Sequence, residues 1–192
     1  MRLFVAICPS RPAVDDLTAR VARLRVGVAS AAGTNVRLAD PAHSHLTLAF
    51  LGDVEEGRLV EAESALGLAA ETFRNGRDSS PRLRLGGGGS FGRGRFTVLW
   101  VDVRGDVEAL ATLARLVRFG LRRAGLPHDE KPFRAHLTIA RPGDRIDRAD
   151  VLADRETLAG YLGPEWPATE LILVRSHPGP RPTYDRLAAW PL

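Results

Sequence analysis

The sequence predicts an α+β fold of two similar lobes, each an antiparallel sheet with helices outside it, related by a pseudo-twofold axis. The main observation is a repeated nonapeptide: HLTLAFLGD at 45–53 returns as HLTIARPGD at 136–144, identical at His, Leu, Thr, Ala, Gly and Asp. Strand-like and helix-like patterns follow a similar order around each copy, which is typical of an internal duplication. We therefore expect one bilobal domain over residues 1–192, with motif strands near 45–51 and 134–140 facing each other across a cleft.

The first half contains, in order, a strand, a helix, the first motif strand and a second helix. Residues 2–8, RLFVAIC, alternate and carry β-branched side chains, so they predict a strand. Ser10 is a natural helix cap with Pro12 in the first turn, and GTNVRLADP ends that helix. Its apolar residues recur at spacings of three and four and define one face: Val14, Leu17, Val21 and Leu24. Asp53 then caps a second helix over 54–73. The inner face of that helix consists of Leu59, Ala62, Leu66, Ala69 and Phe73.

The second half repeats this order and takes its first strand from a hairpin. The stretch 82–103 predicts two strands, RLRL and RFTVLWVDV, joined by the glycine-rich loop GGGGSFGRG. Asp106 opens a third helix that ends near Gly125. Its inward face consists of Leu110, Leu113, Val117 and Leu121. A shorter helix over 147–160 follows the second motif strand, and two last strands, TELILVR and TYDRLAAW, surround the turn SHPGPRP.

The composition is that of a soluble globular protein with a surplus of positive charge. The formal net charge is +4, the isoelectric point is near 10.1, and every Lys or Arg position except Lys131 is an arginine. Such a surplus favours an anionic partner such as nucleic acid, and the guanidinium fork suits phosphate. A genome-wide preference for arginine explains the same composition equally well.

The sequence predicts neither secretion nor membrane insertion. No apolar run reaches the roughly 18 residues that a membrane helix needs, and the start MRLFVAICPS is too short for a signal peptide. Cys8 is the only cysteine, which rules out an internal disulfide. We expect a cytoplasmic protein that makes no contact with a membrane.

The repeated motif places a histidine and a threonine on one side of each strand. Positions i and i+2 of a strand project to the same side, so His45 shares a face with Thr47, and His136 shares one with Thr138. The aliphatic residues that alternate with them point to the core: Leu46, Leu48, Leu137 and Ile139. If a pseudo-twofold axis relates the lobes, two imidazoles and two hydroxyls meet at one place.

Such a set suits phosphoester chemistry without a metal. One histidine can take a proton from the nucleophile while the other gives a proton to the leaving oxygen, and imidazoles titrate near neutral pH. Threonine hydroxyls can bind the non-bridging phosphate oxygens, and Arg141 is the candidate for neutralising negative charge. Arg141 follows Thr138 at an odd offset, so it reaches the phosphate only if the strand ends or bends at Arg141–Pro142. These arguments leave open which histidine is the acid.

The two motifs resemble the paired His-x-Thr/Ser-x motifs of the two-histidine (2H) phosphoesterase superfamily. The start MRLFVAI, the FG…RFTVLWVDV hairpin and the close GPRPTYDRLAAWPL are similar to its bacterial and archaeal branch, the RNA 2′,3′-cyclic phosphodiesterases, also called 2′-5′ RNA ligases. The resemblance implies metal-free hydrolysis of a 2′,3′-cyclic phosphate at an RNA 3′ end, leaving a 2′-phosphate, without a cofactor. It also implies His45 as the proton donor, His136 as the proton acceptor that activates water, and phosphate-binding hydroxyls on Thr47 and Thr138.

Two departures from the family pattern lie at the edges of the predicted cleft. Many members have a tryptophan shortly before the first motif, where this chain has TNVRLADP, and many have a proline before the second histidine, where this chain has Ala135. Neither position carries the predicted chemistry. We therefore expect the departures to affect substrate preference rather than activity.

A third histidine near the first motif suggests an alternative site. His43 could join His45 and His136 as three imidazoles, a set that suits zinc. No carboxylate or thiolate lies close to the histidines in either motif, and PAHSH is typical of the end of a loop. We therefore expect no metal.

The stretch Gly86–Gly94 is rich in glycine and has two interpretations. It lacks the Gly-Lys-Ser/Thr ending of a phosphate-binding loop and a following helix, so it could simply make the hairpin flexible. Alternatively, Phe91 lies over the substrate and Arg93 or Arg95 follows an RNA backbone. Trp100 is predicted to be a core residue, and it could stack on a base if it faces the cleft.

The leading interpretation is a monomeric enzyme that hydrolyses an RNA 2′,3′-cyclic phosphate end, with tRNA halves or small nucleotides as candidate substrates. Reversible 2′-5′ RNA ligation, and hydrolysis of a small cyclic nucleotide or a 2′-5′ oligonucleotide, are alternatives within the same chemistry. A module that binds RNA ends without turnover is the alternative from a different class. The sequence leaves these alternatives open.

Overall fold

The computed structural model describes residues 1–143, 145–179 and 182–192. Within them the chain forms two four-stranded antiparallel sheets with helices packed against them, which confirms the predicted α+β architecture. The strands are β1 Arg2–Ile7, β2 Leu46–Asp53, β3 Arg82–Phe91, β4 Val98–Gly105, β5 His136–Ala140, β6 Trp166–Pro167, β7 Glu170–His177 and β8 Thr183–Pro191. The helices are α1 Arg11–Val21, α2 Arg25–Ala31, α3 Leu59–Asn75, α4 Val107–Arg123 and α5 Arg148–Ala159.

The two sheets carry the motif strands in equivalent places. The first sheet has the strand order β2-β1-β7-β8 and the second has the order β5-β4-β3-β6, so each motif strand lies at the edge of its sheet. Each edge also binds the chain segment that precedes the other motif. The backbone N–H of Asp129 donates to the carbonyl oxygen of Phe50 (2.8 Å), and that of Ala39 donates to the carbonyl oxygen of Ile139 (2.9 Å). These exchanged contacts link each motif strand to the segment that leads into the other one.

The first sheet has one face in the main core and another that continues toward the motif histidines. Alternate residues of β1 are at most 1% exposed and belong to the main core: Leu3, Val5 and Ile7. Phe4 and Ala6 point the other way and form a separate buried cluster with Ile172 and Val174 of β7. The strand alternation therefore supplies an apolar floor on the face of the sheet that does not carry the helices.

The first predicted helix is in fact two helices. α1 begins after Ser10, whose hydroxyl accepts a hydrogen bond from the N–H of Ala13, and it ends at Val21. The predicted continuation to Leu24 is wrong, because Leu24 is extended and precedes α2, although it is buried as expected. A Cβ on Gly27 would lie 2.1 Å from the carbonyl oxygen of Val21. Helix α2 therefore crosses the end of α1 at a distance that only glycine allows.

The later helices follow their predicted faces, with one change of boundary. α3 begins at Leu59 rather than Val54, because β2 continues to Asp53 and a 3₁₀ turn at Glu56–Arg58 comes before the helix. Asp53 is therefore not its cap. In α4 the predicted inward residues are all fully buried: Leu110, Leu113, Val117 and Leu121. None of the described helices has the length and apolar character needed to span a membrane.

The glycine-rich stretch is mostly strand, so its prediction as a loop is wrong. β3 includes the whole GGGG run, and only 92–97 forms the turn to β4. A Cβ on Gly88 would lie 2.5 Å from the Cβ of Leu158, and a Cβ on Gly89 would lie 2.1 Å from the ring of Trp100. The glycines are required because α5 and the Trp100 indole lie directly against the strand.

The last hairpin has the predicted strands on either side of its turn. β7 and β8 pair as antiparallel neighbours over their length. Pro180 and Arg181, in the predicted turn SHPGPRP, lie outside the described residues, as does Asp144, the last residue of the second nonapeptide.

Candidate active site

The two motif histidines hold their imidazoles in the same way. His45 precedes β2, and its Nδ1 lies 2.7 Å from the carbonyl oxygen of His43. His136 is the first residue of β5, and its Nδ1 lies 2.8 Å from the carbonyl oxygen of Arg134. A carbonyl oxygen only accepts hydrogen bonds, so each Nδ1 carries its hydrogen and Nε2 is the atom that gains or loses a proton.

Burial and nearby positive charge both disfavour the protonated form of His45. Burial lowers the pKa of His45 below its ordinary value and is the largest effect on that group. Positive charge on His43 or His136 lowers this pKa further, while the hydrogen bond to the His43 carbonyl opposes the change. Positive charge on His136 would therefore disfavour the imidazolium form of His45.

Two aromatic rings enclose the imidazole of His45. Its ring centroid lies 4.7 Å from that of Phe4 and 5.6 Å from that of Tyr184, and the two aromatic rings meet edge to face at 5.7 Å. Sequence reasoning missed both residues. The signal for Phe4 was available in β1, where it alternates with core residues and must face the other way. Tyr184 reaches the site from the far end of the chain, and only the pairing of β8 with β7 brings it there.

Two further rings enclose the imidazole of His136. Phe91 at the end of β3 lies 5.0 Å from it and Trp100 of β4 lies 5.8 Å from it, centroid to centroid. Trp100 is buried, as predicted for a core residue, yet it also contacts the histidine, and the guanidinium of Arg134 lies 4.4 Å from the Trp100 ring centroid. Phe91 is 39% exposed and presents part of its ring beside the site.

Thr47 and Thr138 occupy equivalent places next to the histidines. Thr47 pairs with Ala6 of β1, and Thr138 pairs with Trp100 of β4. Both threonines are half-buried, whereas the residues predicted to face the core are at most 4% exposed: Leu46, Leu48, Leu137 and Ile139. The expected alternation is therefore present in both strands, and each threonine lies on the side of its histidine.

A β-bulge follows the threonine in each motif strand. The pairing of β2 with β1 skips Leu48, and the pairing of β5 with β4 skips Ile139. Two consecutive residues then face the core, and the next residue, Phe50 or Arg141, is exposed. Phe50 lies on the side of Thr47, because its ring contacts that of Phe4. β5 ends at Ala140, so the expected condition that the strand ends at Arg141–Pro142 is met, and the bulge shifts the alternation just before that end.

Only one of the residues predicted to contact RNA packs against a motif histidine in the described contacts. Phe91 packs against His136, whereas Arg93 lies exposed in the turn beyond it, where its carbonyl oxygen accepts from the N–H of Phe96 (3.2 Å). Arg95 lies in the same turn with its guanidinium 4.8 Å from the centroid of the Phe96 ring. The structure therefore brings Phe91 to His136 and leaves these two arginines exposed in the turn after β3.

His43 faces Tyr184 instead of completing a metal site. Its ring centroid lies 5.1 Å from that of Tyr184, and its Nδ1 lies 3.5 Å from a carboxylate oxygen of Asp40. Within the part of the chain that the structure describes, no three or more His, Cys, Asp or Glu side chains are placed to hold a metal ion together. The suggested set of His43, His45 and His136 is therefore not assembled.

Two curated proteins resemble this chain over most of its length. It is 32% identical over 154 residues to the RNA 2′,3′-cyclic phosphodiesterase of Geobacillus stearothermophilus, covering 77% of this chain and 45% of that protein. It is 33% identical over 142 residues to the RNA 2′,3′-cyclic phosphodiesterase of Archaeoglobus fulgidus, covering 73% of this chain and 72% of that protein. The chain thus spans less than half the length of the Geobacillus relative.

A solved structure and a family model extend the likeness to the fold. The crystal structure of TT0787 of Thermus thermophilus has a TM-score of 0.71 to this protein at 30% identity, covering 100% of this chain and 98% of that chain. The model of the 2′-5′ RNA ligase superfamily matches residues 13–180, which include both histidine motifs. The chain belongs to the 2′-5′ RNA ligase superfamily.

Proposed function

We propose that this protein hydrolyses the 2′,3′-cyclic phosphate at the 3′ end of an RNA to a 2′-phosphate, without a metal. The observation that carries the proposal is the pair of imidazoles on matching edge strands, each with Nδ1 bonded to a carbonyl oxygen and Nε2 left for proton transfer. General acid–base catalysis contributes about 10²- to 10⁴-fold per group. The relatives named RNA 2′,3′-cyclic phosphodiesterase support the same reaction.

In the proposed reaction His136 is the proton acceptor and His45 is the proton donor. Nε2 of His136 removes a proton from water, whose oxygen attacks phosphorus as the bond between phosphorus and O3′ breaks. Nε2–H of His45 gives its proton to O3′, which leaves as a hydroxyl, and the phosphate stays on O2′. The hydroxyls of Thr47 and Thr138 donate to the non-bridging oxygens, and Arg141 neutralises the charge that grows in the transition state.

Because the pKa of His45 is lowered, its protonation as the general acid depends on the bound substrate. Because burial favours the neutral ring, the free protein holds little of the imidazolium form at neutral pH. A cyclic phosphate diester is a monoanion, and its charge beside His45 favours the protonated ring. Substrate binding therefore supplies the condition under which His45 carries the proton that O3′ needs.

The same residues support 2′-5′ ligation as a second candidate function. If the 5′-hydroxyl of another RNA replaces water at His136, the same two proton transfers form a 2′-5′ linkage. Phe91, partly exposed beside His136, offers a stacking face for the incoming nucleoside, and Arg93 lies in the exposed turn that follows. Hydrolysis of a small cyclic nucleotide or of a 2′-5′ oligonucleotide would use the same groups.

The product formed from an oligoribonucleotide with a 2′,3′-cyclic end tests the proposal. We expect a 2′-phosphate, separated from the 3′ isomer by chromatography, formed at an unchanged rate in excess EDTA. A 3′-phosphate contradicts the assignment, and loss of turnover on chelation points to a metal enzyme. RNA binding without turnover by the wild type identifies an end-binding module instead. A second RNA with a 5′-hydroxyl, added to the same reaction, reveals ligation as a 2′-5′-linked product.

The proposal includes the setting in which the enzyme works. We expect a single bilobal domain over residues 1–192, which the contacts exchanged between the two motif strands support. We also expect a cytoplasmic monomer whose partner is RNA with a cyclic phosphate end, such as a tRNA half, or a small nucleotide. Light scattering of the purified protein tests the monomer.

A further inference from the structure

The outer face of helix α4 carries a cluster of arginines that the proposed reaction does not use. The stretch RLVRFGLRR over 115–123 contains no acidic residue, and its basic residues are Arg115, Arg118, Arg122 and Arg123. Positive charge stabilises the last turn of a helix, where Arg122 and Arg123 lie. Arg115 and Arg118 lie further inside the helix, and Arg118 lies four residues before Arg122, a spacing at which like charges destabilise a helix. The stability of α4 therefore does not explain the cluster.

Three of these arginines line an open groove of about 510 Å³ on the helix surface, called the α4 groove below. Its lining residues are Thr112, Arg115, Leu116, Arg118, Phe119 and Arg122. None of these residues is acidic, and the guanidinium of Arg115 donates to Oγ1 of Thr112 at 2.9 Å. Phe119 is 56% exposed, and the guanidinium of Arg123 lies 5.8 Å from its ring centroid. The α4 groove therefore combines an open aromatic ring with several positive charges.

Only Arg118 of the four arginines forms an ion pair within the described part of the chain. Its guanidinium lies 3.8 Å from the Asp129 carboxylate and donates to the carbonyl oxygen of Lys131 at 2.7 Å. Its side chain is 16% exposed, so it fixes the segment that leads to the second motif and offers little charge to a ligand. Arg115 and Arg122 are exposed and can bind an anion.

The α4 groove lies behind the motif strand of the first sheet. Helix α4 packs against β2, and Asp129 links the two, since its N–H donates to the carbonyl oxygen of Phe50 and its carboxylate lies 3.8 Å from Arg118. The helices cover the core face of this sheet, whereas the imidazole of His45 and the ring of Phe4 lie on the other face. An RNA that occupies both the active site and the α4 groove must therefore pass around the β2 edge, so it needs several nucleotides.

We propose that the α4 groove binds the phosphate backbone of a long RNA substrate while the cyclic end of that RNA occupies the active site. This inference rests on the proposed function, because it takes RNA with a cyclic phosphate end as the substrate. Positive charges that follow a backbone and an aromatic ring that stacks on a base are the combination with which proteins bind single-stranded nucleic acid. Arg115 and Arg122 lie roughly 10 Å apart along the helix axis, and one strand rises about 3.4 Å per nucleotide, so the groove can bind more than one phosphate.

The double variant Arg115→Gln/Arg122→Gln tests the α4 groove by the length of the substrate. It removes both exposed charges and keeps good helix formers. With a long oligoribonucleotide that ends in a 2′,3′-cyclic phosphate, we expect KM to rise roughly tenfold near physiological salt while kcat stays nearly constant, because two lost phosphate contacts weaken the ground and transition states equally. With adenosine 2′,3′-cyclic phosphate, which is too short to occupy both places, both constants should stay unchanged. Arg115→Lys/Arg122→Lys should keep most of the RNA affinity, because it restores the charge.

The matched control is Arg23→Gln/Arg148→Gln, which removes the same charge from two exposed arginines, one just before α2 and one at the start of α5. This control should leave the KM of the long RNA unchanged. A wild-type KM for the long RNA in the α4 variant, or an equal rise for the mononucleotide or in the control, overturns the inference. Thermal unfolding of both variants at the wild-type temperature confirms that the fold is retained.

Equilibrium binding separates this inference from the proposed reaction. Fluorescence anisotropy of a labelled long RNA that ends in a 2′-phosphate gives the dissociation constant at several salt concentrations without turnover. In the α4 variant the slope of log K against log salt should be shallower by about 1.4, because each contact to a single strand contributes about 0.7. If the wild type turns nothing over and the variant still shows this change, the RNA-binding groove stands and the reaction is wrong.

The opposite results overturn the groove. If the wild type is active and the variant binds and reacts with the long RNA normally, the reaction stands and the RNA-binding groove is wrong. Loss of binding to phosphatidylserine vesicles in the variant, with an unchanged salt slope for RNA, would assign the α4 groove to a membrane surface instead.

Discussion

The His45 half and the His136 half of the site have the same backbone arrangement and differ in their side chains. Each half has an edge strand, a histidine held by the carbonyl oxygen two residues earlier, a threonine two residues later and a bulge directly after it. The residue that emerges from the bulge is Phe50 in one half and Arg141 in the other. Aromatic rings surround both imidazoles, but Arg134 packs on Trp100 in the His136 half alone among the described contacts.

This difference teaches how a duplicated motif can serve an unsymmetrical reaction. An acid and a base made from two identical halves would have identical environments, and nothing would assign their roles. Single side-chain differences break this equivalence, because the residue after the bulge is an exposed phenylalanine in the His45 half and an exposed arginine in the His136 half. In the His45 half, burial is also the chief cause of the lowered pKa of the imidazole.

The largest expected effect comes from removing either imidazole. His45→Ala and His136→Ala should each lower kcat on a 2′,3′-cyclic nucleotide by about 10²- to 10⁴-fold, because each removes one proton transfer. Steady-state rates of nucleotide hydrolysis measure the loss, and circular dichroism checks the fold.

A second substrate distinguishes the acid from the base in these variants. A 4-nitrophenyl phosphodiester has a leaving group that needs no proton, so His45→Ala should lose far less activity on it than His136→Ala does. Equal losses on this substrate contradict the division of roles. Recovery of His136→Ala instead would show that the two roles are reversed.

Arg141 should act on the transition state more than on substrate binding. Arg141→Leu removes a charge that acts on the transition state, and we expect kcat to fall by about 10²- to 10³-fold with a smaller change in KM. Arg141→Lys should recover part of the loss, since it restores the charge without the guanidinium fork. A rise in KM at constant kcat would instead make Arg141 a residue that binds substrate equally in the ground and transition states.

The pH dependence of the rate tests whether the bound phosphate favours the protonated form of His45. kcat/KM reports the free enzyme, so it should fall as pH rises through a pKa below the ordinary 6.5 of histidine. kcat reports the complex, where the phosphate monoanion favours the imidazolium, so its fall should come at higher pH. Rates measured across pH at saturating and limiting substrate give both curves. Coincident curves would mean that the phosphate does not act on His45.

The sequence predicted the motif residues well because their period of two is a local property of a strand. It did not predict the bulges, since a skipped residue is defined only by the strand opposite, and so it left the face of Arg141 open. It missed Phe4 and Tyr184 because they reach His45 from other strands of the sheet. It took the GGGG run for a loop, because the packing of Trp100 that requires glycine there is a tertiary contact.

The smallest expected effect is on the free energy of unfolding, and it concerns His45. Because the folded pKa of His45 lies below its unfolded value near 6.5, the unfolded chain binds more protons as pH falls through this range. The contribution of neutral His45 to the free energy of unfolding is fully present above pH 6.5 and is lost as pH falls through the folded pKa. His45→Gln is neutral throughout, so its free energy of unfolding should decline less than that of the wild type on acidification. Urea unfolding of both proteins above and below this range measures the difference. Parallel declines would show that burial of His45 is not what sets its proton affinity, and the comparison of the two halves would then rest on Phe50 and Arg141 alone.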